Sequence, residues 1–218
     1  DSAARHQPEF TMLEWYRLGF DDNLLINDVK ALLKHIGLAE PLEVRDYRGV
    51  FFAKTGLDPH SACEQSLQQY CHNRYELNWN DAPRSTWLEL IFSFEIEPTL
   101  QAPTIVKNFP RCQAALAKVA KDEAGELVAK RFELYWQGLE IANGYWELTD
   151  ANEQRQRFMD DNRIRLEQGL PEIKPDPDFL AAIEKGLPEC AGIALGVDRL
   201  LMCLLGKKHI RDVLAFTH

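Results

Sequence analysis

Residues 131–148 constrain the fold more than any other stretch, because they have the composition of two strands joined by a turn. The sequence RFELYWQGLEIANGYWEL is rich in aromatic and aliphatic side chains, with glycine at positions 138 and 144. Gln137 and Gly138 suit the two central positions of a tight hairpin turn. We therefore predict a β-hairpin in which residue 135 faces residue 140.

Two acidic residues of this hairpin are predicted to share one face of a sheet. Side chains alternate between the two faces of a strand, so Glu133 lies on the face of Tyr135 and of its cross-strand partner Glu140. Two carboxylates so placed repel each other unless a cation lies between them. Magnesium suits such a pair, because it accepts carboxylate oxygens and keeps waters and phosphate oxygens as its other ligands.

A third acidic residue, Glu147, joins these two only if the strand is irregular. It lies seven residues after Glu140, and an odd step points the side chain to the opposite face. A β-bulge at Asn143 and Gly144 would add one residue and bring Glu147 to the same face. In the alternative, Asn143 and Gly144 form the hairpin turn and the acidic residues face solvent.

A further strand is predicted over residues 9–17. The alternation places four side chains on one face: Phe10, Met12, Glu14 and Tyr16. A carboxylate among apolar and aromatic neighbours requires a partner. On the strand pattern alone, Glu14 is expected to form a salt bridge with a neighbouring arginine or lysine of the fold.

The segment AGIALGVDR, residues 191–199, reads as a strand followed by a helix. Glycine costs stability in a strand, so Gly192 and Gly196 indicate close approach by a ligand or by another backbone. Asp198 can cap the helix. Arg199 in the first turn opposes the helix dipole, and a bound phosphate would make that position favourable. The alternative is a packing strand with an Arg–Asp pair on the surface.

The remaining pattern predicts one α+β domain over residues 1–218, built around an antiparallel sheet flanked by helices. We predict helices at residues 21–36, 61–70, 86–94, 150–168, 178–185 and 198–205, and a strand at 104–109. Strands and helices do not alternate as they do in βαβ proteins, which favours this class over a parallel sheet.

Composition excludes several kinds of protein. The net charge of −9 argues against wrapping a nucleic-acid backbone. No apolar run approaches the roughly 18 residues that cross a bilayer, so no membrane partner is expected. The chain has five cysteines, an odd number without a CxxC pair, which indicates reduced thiols in a cytoplasmic protein.

Three segments resemble motifs of the class II aminoacyl-tRNA synthetases of the lysyl type. RHQPEFTMLEWY resembles the second half of motif 2, RFELYWQGLEIANGYWEL the acidic segment, and GIALGVDRL motif 3. Their order and spacing fit the family over essentially the whole chain. The resemblance implies a catalytic domain in which motif 1 and the first strand of motif 2 are absent. We accordingly expect little ATP–pyrophosphate exchange by these 218 residues alone.

Within that family, the chain is more similar to short paralogues that lysylate elongation factor P. Lysyl-tRNA synthetases usually carry glycine at the position of Ala194. In the family this position borders the amino-acid pocket, and alanine there is associated with (R)-β-lysine in preference to α-lysine. A methyl-sized difference discriminates between substrates by about 1–3 kcal/mol.

The resemblance also implies a role for individual residues. A lysine-type substrate would be bound by Glu14, Tyr16, Asn143, Glu147 and Ala194. ATP would be bound by Arg5, His6, Gln7, Phe10, Glu140, Ile141, Gly196 and Arg199. Magnesium would be held by Glu133 and Glu140, and Arg199 and Glu140 would act in catalysis. Gln7 departs from the family, which usually has asparagine there.

The expected reaction is activation of a lysine-type amino acid as an adenylate, followed by transfer to a lysine side chain of elongation factor P. The complete protein is expected to be a homodimer. Two alternatives remain: a lysyl-tRNA synthetase that charges tRNA, and a non-catalytic paralogue that binds an amino acid or nucleotide.

Overall fold

A computed structural model describes residues 7–38 and 40–216 of the chain. Its centre is one seven-stranded sheet in the order β1-β7-β6-β5-β3-β2, with β4 paired to β5. The strands are β1 Met12–Leu18, β2 Glu43–Asp46, β3 Thr104–Phe109, β4 Val119–Lys121, β5 Leu127–Trp136, β6 Leu139–Trp146 and β7 Cys190–Gly196. Every pair is antiparallel except β2 and β3, which run parallel.

Helices cover parts of both sheet faces. They are α1 Asp22–His35, α2 Tyr47–Thr55, α3 Glu64–His72, α4 Arg84–Ile91, α5 Ala151–Glu167, α6 Pro177–Glu184 and α7 Val197–Leu204. A π-helical turn, Phe92–Ile96, continues α4, and 3-10 turns occupy Glu97–Thr99, Arg111–Gln113 and Ile210–Asp212. No helix in the described ranges is long and apolar enough to cross a membrane.

Helix α1 shows how the local sequence positions the core. The Asp21 side chain caps its first turn by accepting a hydrogen bond from the backbone N–H of Leu24 at 2.8 Å. Leu25, Val29 and Leu33 form a buried stripe with helical spacing. This stripe packs against one face of the sheet and confirms the periodicity predicted for residues 21–36.

Helix α5 begins where the sequence predicts. Asp150 caps it by accepting hydrogen bonds from the backbone N–H groups of Asn152 and Glu153. Arg157 then ties the helix to the segment between the 3-10 turn Arg111–Gln113 and β4, donating to the carbonyl oxygens of Ala115 and Ala117 at 2.8 and 2.7 Å.

Two apolar clusters support the sheet. One lies between α1, α7 and the sheet and includes Phe132, Leu134, Ile193 and Leu195. The other lies beneath α2, α3 and α4 and includes Tyr47, Phe51, Trp87, Val106 and Tyr135. The first cluster covers one face of β1, β7 and β6. The opposite face of these three strands carries polar side chains.

The α+β class is confirmed, with three differences of detail from the sequence prediction. The strand predicted over residues 9–17 begins only at Met12, so Phe10 precedes it. The sheet contains the parallel β2–β3 pair and is therefore mixed. The short strands β2 and β4 and helix α2 were also not predicted. β2 is mostly exposed and β4 has only three residues, so neither carries the alternation that marks a half-buried strand.

Candidate functional site

Three neighbouring strands bring three of the residues predicted to bind the amino-acid substrate into one row. In the ladder, Glu14 of β1 pairs with Ala194 of β7, which pairs in turn with Asn143 of β6. Directly paired residues of a sheet point to the same side, so all three side chains lie on one face, here called the polar face. The Asn143 Oδ1 atom is buried and has no hydrogen-bond partner among the described residues. It is therefore an acceptor available to a ligand.

The next row of the polar face consists of Tyr16, Gly192 and Tyr145. A Cβ atom on Gly192 would lie 2.5 Å from the Tyr16 ring and 2.7 Å from Glu147 Oε1. The missing side chain of Gly192 thus lets Tyr16 and Glu147 approach each other. Burial raises the pKa of Glu147 to about 7, and burial together with the charges of Glu147 and Glu14 raises the pKa of Tyr16.

The hairpin brings Glu147 to this face by a route different from the predicted one. The turn at Gln137 and Gly138 is confirmed, since both have positive φ (53° and 66°) and their neighbours are paired across the turn. The bulge, however, is not at Asn143 and Gly144. It lies at Ile141, because Leu134 pairs with Ala142 while the next residue, Tyr135, pairs with Glu140.

The alternative turn at Asn143 and Gly144 is also wrong, because both lie inside β6. Gly144 instead lacks a side chain because the Phe132 ring occupies the space. A Cβ there would lie 2.4 Å from the end of that ring.

The alternative assignment of Glu14 to an internal ion pair is not seen in the described part of the chain, where Glu14 takes part in no salt bridge. The arginine nearest in sequence, Arg17, pairs with Asp28 at 2.8 Å on the opposite face. The exposed carboxylate of Glu14 is thus directed to the ligand side of the sheet.

Next to these rows is a pocket of about 390 Å³, within the size range of small-molecule sites. It is lined by Gln7, Phe10, Thr11, Met12, Glu140, Ile141, Ala142, Asn143, Ala194, Gly196, Asp198, Arg199 and Ile210. The exposed Phe10 ring offers a stacking surface. A Cβ on Gly196 would lie 3.6 Å from the carbonyl oxygen of Ile141, which is an ordinary van der Waals contact.

The start of α7 brings Arg199 into this pocket. Arg199 Nη1 donates to the backbone carbonyl of Glu140 at 2.8 Å, which fixes the guanidinium beside the bulge. Asp198 does not cap the helix as predicted. It accepts a hydrogen bond from the backbone N–H of Thr11 at 2.7 Å and so joins the segment before β1 to α7.

Of the predicted metal pair, Glu140 lines this pocket, and both Glu133 and Glu140 line a neighbouring cavity of about 1040 Å³. Glu133 is 5% exposed; its Oε1 accepts from Arg131 and its Oε2 from the Tyr135 hydroxyl. Burial and the charge of Glu133 raise the pKa of Glu140 to about 7. A cation between the two carboxylates would favour their ionised forms, so the donor set fits magnesium.

The structure thus brings together twelve of the residues named from the sequence. They are Gln7, Phe10, Glu14, Tyr16, Glu133, Glu140, Ile141, Asn143, Glu147, Ala194, Gly196 and Arg199. Arg5 and His6 lie outside the described residues. The sequence reasoning missed Tyr145, although the two-residue alternation from Asn143 points to it. It identified Gly192 as a point of close approach but did not assign it to the amino-acid site.

Met12, to which the sequence analysis gives no role in the site, lines the pocket and is 40% exposed. Trp15 contacts the apolar cluster under the sheet.

The whole chain, residues 1–218, matches the family model described as tRNA synthetases class II (D, K and N). The chain is also similar to proteins named elongation factor P–(R)-β-lysine ligase. That of Mannheimia succiniciproducens is 47% identical over 218 residues, covering 99% of this chain and 67% of the relative. That of Proteus mirabilis is 47% identical over 220 residues, with the same coverage.

A third such protein, from Haemophilus ducreyi, is 46% identical and is covered over 66% of its length. The chain therefore spans about two thirds of the length of the curated relatives that it matches. These matches confirm the resemblance predicted from the three motifs.

Proposed function

Because this chain belongs to the class II tRNA synthetases of the D, K and N type, we propose that it forms the active site of an ATP-dependent ligase. The ligase activates a lysine-type amino acid and transfers it to a lysine side chain of elongation factor P. The names of relatives at 46–47% identity support this acceptor over tRNA.

The amino acid lies on the polar face, with its side-chain ammonium among Glu14, Asn143 and Glu147. A buried ammonium requires a carboxylate and neutral acceptors, and these residues supply both. Tyr16 forms a wall of this amino-acid site. The methyl group of Ala194, between Glu14 and Asn143 in the ladder, narrows the site and favours (R)-β-lysine over α-lysine.

ATP lies in the adjoining pocket as the second substrate. Phe10 stacks on the adenine, Gly196 admits the nucleotide close to the backbone, and the Arg199 guanidinium binds a phosphate. Glu133 and Glu140 would hold magnesium, which would supply positive charge to offset the negative charge of the phosphates. The roles of Arg5, His6 and Gln7 at the phosphates remain part of this proposal.

The reaction has two steps. The substrate carboxylate forms a bond to the α-phosphorus of ATP, and the bond to the β-phosphate oxygen breaks, which gives an aminoacyl adenylate and pyrophosphate. The neutral amine of the acceptor lysine then bonds to the activated carbonyl carbon, AMP leaves, and the nitrogen loses a proton. The side chains contribute mainly alignment and stabilisation of phosphate charge.

One observation carries this proposal: the pocket of about 390 Å³ shares Asn143 and Ala194 with the row of residues that begins at Glu14. Two substrates bound in these adjoining places would meet where a carboxylate can reach a phosphate. A protein that only senses an amino acid has no need of a phosphate-binding arginine and a buried acidic pair at the same junction.

The test is a direct comparison of two acceptors. The complete protein is incubated with ATP, magnesium and (R)-β-lysine or α-lysine, together with either elongation factor P or tRNA. We expect a mass increase on one lysine of elongation factor P, faster with (R)-β-lysine, and no aminoacylated tRNA. Charging of tRNA would favour the synthetase alternative, and ligand binding without pyrophosphate release would favour the non-catalytic one.

We further propose that the complete protein acts in the cytoplasm as a homodimer. Light scattering of the complete protein should give twice the monomer mass.

A further inference from the structure

Arg131 makes an unusual set of contacts beside the acidic pair. Its Nη2 group donates to Glu133 Oε1, and its Nη1 group donates to the carbonyl oxygen of Gln113 at 2.9 Å. The guanidinium carbon lies 4.7 Å from the centre of the Phe109 ring and 5.8 Å from that of Tyr145. Arg131 therefore links strand β5 to the 3-10 turn Arg111–Gln113, between two aromatic rings.

These contacts leave the Glu133 carboxylate little freedom to rotate. One oxygen is held by Arg131 and the other by the Tyr135 hydroxyl, and the side chain is 6% exposed. Each carboxylate oxygen has two lone pairs, so both oxygens can still bind a cation. A planar guanidinium fixes the plane of the carboxylate, which an ammonium does not.

We infer that Arg131 is a positioning residue, which holds Glu133 in the one orientation in which it can share a divalent cation with Glu140. This inference rests on the proposed function, since it concerns the metal that accompanies the nucleotide. Arg131 is not itself a ligand and does not touch a substrate. It acts through Glu133.

Two effects of Arg131 on a cation oppose each other. Its positive charge repels a divalent ion, so its removal would strengthen binding if charge alone decided. Removal would also leave Glu133 buried with one partner fewer, and a buried carboxylate that is held less firmly can turn away from its present orientation. Because Glu133 lies in the interior and is held at both oxygens, we expect the loss of orientation to outweigh the loss of repulsion.

The experiment uses the complete protein with R131M, R131K and the matched control R157M. Arg157 makes the same kinds of contact, donating to two backbone carbonyls of the same loop region and to Glu153. Its carboxylate partner, however, is half exposed and is not part of the acidic pair. The binding of Mn²⁺, in the presence of a non-hydrolysable ATP analogue, is measured by electron paramagnetic resonance, and the magnesium dependence of ATP–pyrophosphate exchange is measured in parallel.

We expect R131M to weaken Mn²⁺ binding by about 10- to 100-fold, as replacing partners of metal ligands commonly does. The magnesium concentration for half-maximal exchange should rise in proportion, while KM for the amino acid stays unchanged. R131K, which keeps the charge but not the planar contact, should be intermediate. R157M should lower the melting temperature and leave Mn²⁺ binding at the wild-type value.

Unchanged or tighter Mn²⁺ binding by R131M would overturn the inference, and so would an equal loss in R157M. If R131M does not fold, R131K decides, since Mn²⁺ binding equal to wild type in that variant would also overturn it. The proposed function fails separately: wild-type protein would then bind Mn²⁺ and the analogue normally but would not modify elongation factor P.

Discussion

The two faces of the central strands are built from alternate residues of the same segments, but one face is buried and apolar and the other carries the residues of the candidate site. On the face toward α1, Phe132 and Ile193 are buried among aliphatic side chains. On the polar face, their sequence neighbours Glu133 and Ala194 belong to the candidate site. One backbone thus carries a layer that stabilises the fold and a layer that binds ligands.

The polar face works against stability. Burial raises the pKa of both Glu140 and Glu147 to about 7, so the folded chain resists the charges that a cationic amine or metal requires. Ionisable residues whose pKa is shifted in this way are typical of functional sites. The apolar face must therefore supply the stability that the polar face does not.

The largest effect should come from the apolar face. The Phe132 side chain is fully buried, so F132A removes its apolar contacts and leaves a cavity. We expect a loss of about 3–5 kcal/mol in the free energy of unfolding, measured with urea. F52A is the matched control, because Phe52 is 56% exposed and should cost less than about 0.5 kcal/mol. Equal losses would mean that the burial of Phe132 under the sheet is not what makes it stabilising.

Gly144 shows how the correct face for Glu147 was predicted from an incorrect position of the bulge. The signal Asn–Gly is local and suits a turn or bulge, but this glycine is required by the Phe132 ring on the neighbouring strand. The real bulge at Ile141 depends on how β5 and β6 align over their whole length. Such pairing has no short sequence signature, whereas the turn at Gln137 and Gly138 has one.

The same distinction explains the error at Asp198. A capping role follows from its position at the start of a helix, but its actual partner, Thr11, is 187 residues away in the chain. The acidic pair and the glycine strand were predictable because two-residue alternation is a local property. The contacts of Arg131 with Gln113 and of Asp198 with Thr11 were not, because they depend on how distant segments meet.

An intermediate effect is expected for G192A on the polar face. The added Cβ would overlap both the Tyr16 ring and Glu147 Oε1, which must then move apart. We expect KM for the amino acid to rise by about 10- to 100-fold, while KM for ATP stays unchanged, in steady-state exchange assays of the complete protein.

G49A is the control for G192A, because a Cβ on Gly49 would meet no atom within 4 Å and its φ is not positive. If KM for ATP rises as much as KM for the amino acid, then Gly192 supports the sheet generally and not the amino-acid site. That result would weaken the separation of the two ligand regions.

The smallest effect concerns the cost of Glu147 to stability. Burial raises its pKa from 4.5 to about 7, so between these values the folded state keeps a proton that the unfolded state releases. The stability of the wild-type protein should therefore fall as pH rises through this range, and E147Q, which cannot ionise, should escape that loss. We expect the stability advantage of E147Q to grow by about 1–2 kcal/mol between pH 5 and pH 8. Glu140 titrates in the same range but is present in both proteins, so its contribution cancels in the difference. Urea unfolding at four pH values measures this growth, and E172Q, at an exposed position, is the control. An advantage of E147Q that does not change with pH would mean that Glu147 ionises without cost. The polar face would then not oppose folding.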